Sequence, residues 1–83
     1  MVTVHFPGSL RPLAGDTMTI TEPVATVGEL IGVLSRTTPG LAARLDDPLF
    51  NIAVNDELLL HNVDRHPVAD GDVIEIVPTM AGG

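Results

Sequence analysis

The stretch TVGELIGVL, residues 26–34, decides the fold, because it carries the clearest helix signal in the chain. Thr26 is followed three residues later by Glu29, which is a capping box: each side chain binds backbone N–H groups that a first helical turn leaves unpaired. Apolar residues recur behind it at helical spacing, namely Val27, Leu30, Ile31 and Leu34. We predict one amphipathic helix that ends before the Thr38-Pro39-Gly40 stop signal.

Strand patterns lie on both sides of this helix. Apolar and polar residues alternate over 2–6 and 17–21 before it, and over 50–54, 57–60 and 73–77 after it. This order predicts an α+β roll, in which a mixed sheet of four to five strands packs one face against one main helix. The first and last strands are the most apolar, so we expect them to be neighbours at the centre of the sheet.

Composition limits the function classes that this chain can serve. Its 83 residues form one small domain, and aromatic residues are 2% of the chain, too few for a base-stacking platform. Eleven acids against four bases, all of them arginine, give a net charge of −7. Nucleic acid and anionic membranes would be repelled, whereas a protein with a basic surface would be attracted.

The sequence gives no strong metal or targeting signal. Cysteine is absent, which excludes disulfides, thiolate metal sites and thiol nucleophiles. His61, Asp64 and His66 are too loosely spaced to indicate a metal site, and Asp70-Gly71-Asp72 lacks the rest of a calcium loop. We therefore predict no metal, and the lack of a leader pattern or a long apolar run predicts a cytoplasmic protein.

The C-terminal segment has a composition that suits an arm rather than a packed element. Pro78 has no N–H for a sheet, so we predict a folded domain over 1–77 and a flexible tail over 78–83. Six residues reach at most about 20 Å. Gly82 and Gly83 have no side chains, so such an arm can enter a narrow channel of a partner and present the Gly83 carboxylate there. A carboxylate is a poor electrophile until it is activated, and adenylation by ATP on a partner would activate it.

The chain as a whole resembles the ubiquitin-like, β-grasp sulfur carriers of the MoaD/ThiS family. The resemblance extends over essentially the full length. Four segments carry it: Leu10–Gly15 (LRPLAG), Ile52–Asp56 (IAVND), Ala69–Asp72 (ADGD) and Ile76–Gly83 (IVPTMAGG). The Asp-Gly-Asp turn, a strand and a terminal Gly-Gly form a specific combination at these spacings, although each piece alone is common.

This resemblance implies a non-enzymatic sulfur donor that binds no cofactor of its own. An adenylating enzyme of the ubiquitin-activating type (MoeB- or ThiF-like) would use ATP to convert the Gly83 carboxylate to an acyl-adenylate. A persulfide donor would then supply sulfur, and the resulting thiocarboxylate would pass it to a metabolite bound to a synthase subunit. Gly83 would carry this chemistry, with Gly82 beside it.

The pathway stays open at this point, although the length and LRPLAG favour the MoaD branch. The main prediction is therefore molybdopterin synthesis, in which the chain would be the small subunit of molybdopterin synthase beside a MoaE-like partner. SLRP, NIAVND and MAGG also resemble the CysO-like cysteine branch, and thiamine or natural-product synthesis are further alternatives. A ubiquitin-like modifier joined through Gly83 to target lysines is another, and a plain interaction domain with an incidental tail is the weakest.

A partner would have to bind the folded domain as well as the tail. Alternation along the strands places Ala53, Val73 and Val77 on the sheet face opposite the helix, and Glu75 beside them could attract a basic partner. The predicted partner-binding residues are these four together with the base of the tail: Ala53, Val73, Glu75, Val77, Pro78, Thr79, Met80 and Ala81.

Overall fold

The computed structural model describes residues 1–45 and 50–78, apart from the side chain of Ala42. The elements follow the order β-α-β-α-α-β-β-β, with two 3₁₀ turns: β1 (Val2–His5), a 3₁₀ turn (Gly8–Leu10), α1 (Arg11–Ala14), β2 (Thr17–Ile20), α2 (Val27–Thr37), α3 (Leu41–Leu45), β3 (Phe50–Val54), β4 (Glu57–Leu59), a 3₁₀ turn (Val63–Arg65) and β5 (Val73–Pro78). Within these residues, no helix has the length and apolarity needed to cross a bilayer.

The five strands form one mixed sheet in the order β2-β1-β5-β3-β4. β1 and β5 are parallel neighbours, and the remaining pairs are antiparallel. The prediction that the first and last strands lie together at the centre is confirmed. The order also confirms an α+β sheet packed against one main helix.

The capping box at the start of α2 forms with one difference from its usual pattern. Thr26 Oγ1 accepts a hydrogen bond from the Glu29 backbone N–H at 3.2 Å, as predicted. The Glu29 carboxylate accepts from the N–H of Ala25 at 3.0 Å, one residue before the cap. Both side chains thus bind backbone N–H groups at the start of α2. At the other end, Arg36 in the last turn interacts favourably with the negative end of the helix dipole.

The core lies between α2 and one face of the sheet, and it is entirely aliphatic except for Phe6. Its fully buried members come from every layer: Val4, Leu10, Val27, Leu30, Leu34, Leu41 and Ile74. The predicted apolar helix face is confirmed but incomplete. Ile31 is half-buried and packs against the core, and Val33, which was not included in the prediction, is buried within it.

The connection between β1 and β2 is a compact pair of helical turns. A 3₁₀ turn passes directly into α1, with Pro12 near its start, where the missing N–H costs nothing. Leu10 is fully buried, and Gly15 ends α1 at φ 80°. This connection therefore contributes a side chain to the core.

The last strand ends one residue later than predicted, since Pro78 still pairs with Phe50 of β3. The Asn55 N–H donates to the carbonyl of Val73. The backbone polar groups of every second residue of β5, counted from Val73, therefore point toward β3, and those of the residues in between point toward β1. The nitrogen of Pro78 therefore faces the β1 side, where the chain has already turned away after His5. No ladder hydrogen bond is lost there, which is why a proline fits at the end of a central strand.

Candidate functional site

The sheet face opposite α2 carries one row of side chains across four strands. Glu75 of β5 is the Cα partner of His5 on β1 and of Ala53 on β3, and Ala53 pairs in turn with Leu58 on β4. His5 is exposed, and its Nδ1 lies 3.4 Å from Thr17 Oγ1 on β2. One carboxylate thus lies in the middle of a row that is polar toward β2 and apolar toward β4.

Four of the predicted docking residues, Ala53, Val73, Glu75 and Val77, share this face but differ in exposure, whereas Pro78 alternates to the helix side of the sheet. Val73, Glu75 and Val77 are half-buried, and Pro78 is exposed. Ala53 is only 7% exposed, so it offers a partner little surface of its own. It lies outside the core cluster and is covered by its neighbours on the outer face.

Two exposed leucines extend this face and were missed from the sequence. Leu58 is 46% exposed beside Ala53, and Leu60, which follows β4, is 68% exposed. Leu59 between them is buried in the core and pairs with Ile52. The signal was present in the run Leu58–Leu60, because a two-residue period in a short strand leaves the outer two of three leucines on the solvent side.

Together these residues form an apolar strip, which we define as Leu58, Leu60, Ala53 and Val77. It runs along the β4 and β3 side of the sheet toward the end of β5. Exposed leucines are unremarkable singly, but a strip that leads to the C-terminal arm is a candidate docking surface.

A shallow depression of about 240 Å³ lies at the end of the β1–β5 pair. Its lining residues come from the ends of the two strands: His5, Phe6, Pro7, Glu75, Ile76, Val77 and Pro78. The end of β5 therefore has this depression on its β1 side and the apolar strip on its β3 side.

The opposite end of β5 is fixed by a hydrogen-bonded clamp between two turns. The Asn55 side chain donates to Asp72 Oδ1 at 3.0 Å and accepts from the Val73 N–H at 2.9 Å. Asp72 Oδ2 accepts from the Ala69 N–H at 2.8 Å. Asn55 and Asp56 both adopt positive φ, 50° and 71°, as a tight hairpin between β3 and β4 requires. The clamp therefore sets the register of β5 against the turn between β3 and β4.

This clamp predicts a specific loss of stability in acid. Hydrogen bonds from the Ala69 N–H, then from Asn55, hold the pKa of Asp72 below its usual value, and the charge of His66 acts in the same direction. The ionised form is thus favoured in the folded state, so its contribution is complete above the unfolded pKa of about 3.9 and is lost as pH falls through the lowered folded value. In urea unfolding, Asp72→Asn should destabilise the chain at pH 7 and lose that difference as pH falls below about 4.

A control variant at exposed Glu57 separates the clamp from net charge. Glu57→Gln removes one carboxylate without touching the clamp, and we expect no comparable gap at pH 7. A constant gap between Asp72→Asn and the wild type from pH 7 down to the acid limit would contradict the prediction.

The remaining predicted site residues, Thr79, Met80, Ala81, Gly82 and Gly83, lie outside the described residues. Within 1–45 and 50–78, no cluster of three or more His, Asp or Glu side chains is close enough to hold a metal ion. His61 and His66 in particular are not brought together with further ligands there.

Comparison with known proteins identifies the family. The ThiS family model matches residues 4–83, nearly the whole chain. The chain belongs to the ThiS family of ubiquitin-like sulfur carriers. Members of this family are small non-catalytic proteins that donate sulfur, and this chain is one of them.

Similar proteins narrow the relationship within the family. The sulfur carrier protein CysO of Mycobacterium tuberculosis is 35% identical over 91 aligned positions, which span 99% of this chain and 98% of the relative. A chain of the Amycolatopsis orientalis BexX/CysO complex has a TM-score of 0.85 at 33% identity, with each chain covered completely. A subunit of the Helicobacter pylori molybdopterin-converting factor is also 33% identical and covers 99% of this chain and 97% of its own, but its TM-score is 0.67.

These matches confirm the sulfur-carrier and β-grasp predictions. They do not support molybdopterin as the pathway, because the CysO proteins superpose better at similar identity. The LRPLAG segment, which favoured the MoaD branch, forms the end of the 3₁₀ turn and α1, and Leu10 is its buried residue.

Proposed function

We propose that this sulfur carrier supplies sulfur for cysteine synthesis. A partner enzyme of the ubiquitin-activating type adenylates the Gly83 carboxylate with ATP and releases pyrophosphate. The outer sulfur of a donor persulfide displaces AMP to give an acyl disulfide, and a thiol then cleaves the S–S bond, which leaves the thiocarboxylate on Gly83 and a disulfide on the donor side. A cysteine-synthase-type enzyme then accepts that sulfur. The full-length similarity to CysO is the observation that supports this choice of pathway.

The arrangement of the sheet suits the proposed chemistry. β5 is held on both sides and clamped at its start by Asn55, so the arm begins from a rigid base. Beyond Pro78 there are five residues, which extend at most about 18 Å. That length allows a reactive terminus to reach an active site that is recessed in a partner, with the folded domain remaining outside.

Radiolabelled sulfur tests the pathway. The chain is first loaded by the adenylating enzyme of its native host with ATP and a labelled sulfur source, and intact mass confirms replacement of one oxygen by sulfur. The loaded carrier is then added to host extract, where label is expected in free cysteine. Label in molybdopterin or in thiamine would overturn the cysteine assignment and leave the carrier role standing. High-mass conjugates that lack the label, because formation of the amide bond releases the labelled sulfur as sulfide, would favour the protein modifier.

We further propose that the apolar strip docks the adenylating enzyme. Leu58→Asp places a charge at a half-exposed position, so stability should change by less than about 1 kcal/mol, as for most surface changes. Binding should weaken by about tenfold or more, since truncated or charged anchors in a docking surface commonly cost over 1 kcal/mol. Calorimetric titration with the enzyme measures the affinity, and a thermal melt measures the stability.

Thr19→Asp is the matched control for this variant. Thr19 lies on the β2 side of the sheet and is also exposed. Equal losses of affinity in Leu58→Asp and Thr19→Asp would contradict the assignment of docking to the β4 side of the sheet.

A further inference from the structure

The turn before β5 contains a dipeptide, Asp70-Gly71, that is chemically labile. It is the only place in the sequence where an acidic or amide side chain directly precedes glycine. A glycine nitrogen in that position can attack the carboxyl carbon of the preceding aspartate, because glycine has no side chain to hinder the approach. The attack gives a five-membered succinimide, and hydrolysis of the succinimide leaves either aspartate or β-aspartate.

The geometry of the turn explains why glycine stands at this place. Gly71 has a φ of 91°, in the region that residues with a side chain rarely adopt. The turn is closed by two hydrogen bonds, from the Ala69 N–H to Asp72 Oδ2 at 2.8 Å and from the Asp72 N–H to the Ala69 carbonyl at 3.1 Å. The Asp70 side chain is 85% exposed, so water reaches it. The fold therefore places a required glycine directly behind an exposed aspartate.

The first residue of the chain contacts both reacting groups. The Gly71 N–H donates to the Met1 carbonyl at 2.7 Å, and the Asp70 carboxylate contacts the Met1 amino group. The Thr3 N–H donates to the Asp72 carbonyl at 3.1 Å, so these contacts extend the pairing of β1 with β5. The nitrogen of Gly71 must give up its proton before it can attack, and the hydrogen bond to Met1 holds that proton in place.

We propose that Asp70 is a site of spontaneous isomerisation, and that the hydrogen bond from Gly71 to the Met1 carbonyl suppresses the reaction while the chain is folded. In this reaction the Gly71 nitrogen forms a bond to Asp70 Cγ, and the carboxyl hydroxyl leaves as water together with the amide hydrogen. A water molecule then opens the succinimide. Opening at the former main-chain carbonyl of Asp70 leaves β-aspartate, and no oxidant, reductant or cofactor is consumed.

The modified chain would differ at the clamp that starts β5. A β-aspartyl link adds one carbon to the main chain between Asp70 and Gly71, inside the turn that Ala69 and Asp72 close. The Asp72 carboxylate would then no longer be held where it binds both the Ala69 N–H and the Asn55 side chain. The β-aspartyl chain should therefore be less stable than the wild type at pH 7, as Asp72→Asn should be.

Peptide mapping of three chains tests the inference. A cleavable amino-terminal fusion supplies the wild type, Met1→Ala and a chain that starts at Val2. Met1→Ala keeps the backbone carbonyl, whereas the shortened chain lacks it. Cleavage after Arg65, the last basic residue, releases the peptide 66–83. Its aspartate and β-aspartate forms have equal mass and are separated by chromatography.

The rates are compared in buffer, at a temperature where thermal melts show the chains to be folded, and in urea. The folded wild type and Met1→Ala should isomerise about tenfold more slowly than in urea, which is the protection that one hydrogen bond of ordinary net strength can give. The chain that starts at Val2 should isomerise in buffer nearly as fast as it does in urea.

Four results would overturn the inference. These are an absence of β-aspartate at position 70 even in urea, equal rates for the wild type in buffer and in urea, slow isomerisation of the folded chain that lacks Met1, and fast isomerisation of Met1→Ala. If the shortened chain does not fold, hydrogen exchange of the Gly71 N–H in the wild type decides, and exchange as fast as in an unfolded chain would contradict the proposal. No partner enzyme takes part in these measurements, so their outcome is independent of the proposed function.

Discussion

Removal of Gly83 is expected to abolish thiocarboxylation while leaving the fold unchanged. The deletion moves the reactive carboxyl back along the arm by about 3.5 Å, and a misplacement of only about 1 Å can cost about 100-fold in rate. The domain should be unaffected, because Gly83 has no side chain and lies five residues beyond Pro78, where the described pairing of β5 ends. Stability should therefore change by less than about 0.5 kcal/mol.

The assay uses ATP, the host adenylating enzyme and a sulfur source, with intact mass as the readout. Gly82→Ala is the companion variant, since it keeps the length and adds one methyl group where a narrow channel is proposed. If the shortened chain were thiocarboxylated at the wild-type rate, the partner would not depend on the position of the terminal carboxyl group. That result would contradict the proposed role of Gly83.

The second large effect is on stability and lies at Ile74. This side chain is fully buried, and its residue pairs with Val4 on one side and Val54 on the other. Ile74→Ala leaves a cavity at the centre of the core, and such truncations cost about 2–5 kcal/mol. A small domain has a total stability of about 5–10 kcal/mol, so a melting temperature lower by more than about 10 °C is expected.

Val73→Ala is the control for this truncation. It neighbours Ile74 on the same strand but is half-buried on the opposite face, so its cost should stay below about 1.5 kcal/mol. Urea unfolding followed by circular dichroism measures both variants. Equal costs for the two would contradict the placement of the core on one face of the sheet.

Local patterns predicted most of the fold because their physical causes are local. The capping box at Thr26, the two-residue alternation of the strands and the turn at Asn55 each depend on near neighbours in sequence, and each is present. The central, neighbouring positions of the first and last strands followed from their apolarity, since strands that are flanked by others need the most apolar residues.

The errors arose where distant segments decide the outcome. Val33 is more deeply buried than Ile31 because of the way the helix is rotated about its axis against the core. The periodicity of the helix sequence alone does not determine that rotation. Leu10 is buried because it belongs to the core cluster, whose other members are mostly distant in sequence. The outer face of the sheet was predicted correctly, but Leu58 was missed. Leu58 lies on the edge strand β4, and only the register between β3 and β4 places it beside Ala53.

The central position of β5 has a consequence for how the protein is made. The last of the five strands in chain order is the one that joins β1 to β3, so a ribosome-bound chain that lacks it has two separate hairpin halves and no continuous sheet. The sheet can form only after β5 has left the ribosome, and closure of such distant pairings is slow compared with local ones. Chains cut short within β5 should therefore fail to fold and be degraded. Chains that lack only the final glycines should fold and escape degradation. A cell that depends on this carrier would need its partner enzymes, rather than its folding machinery, to reject a shortened terminus.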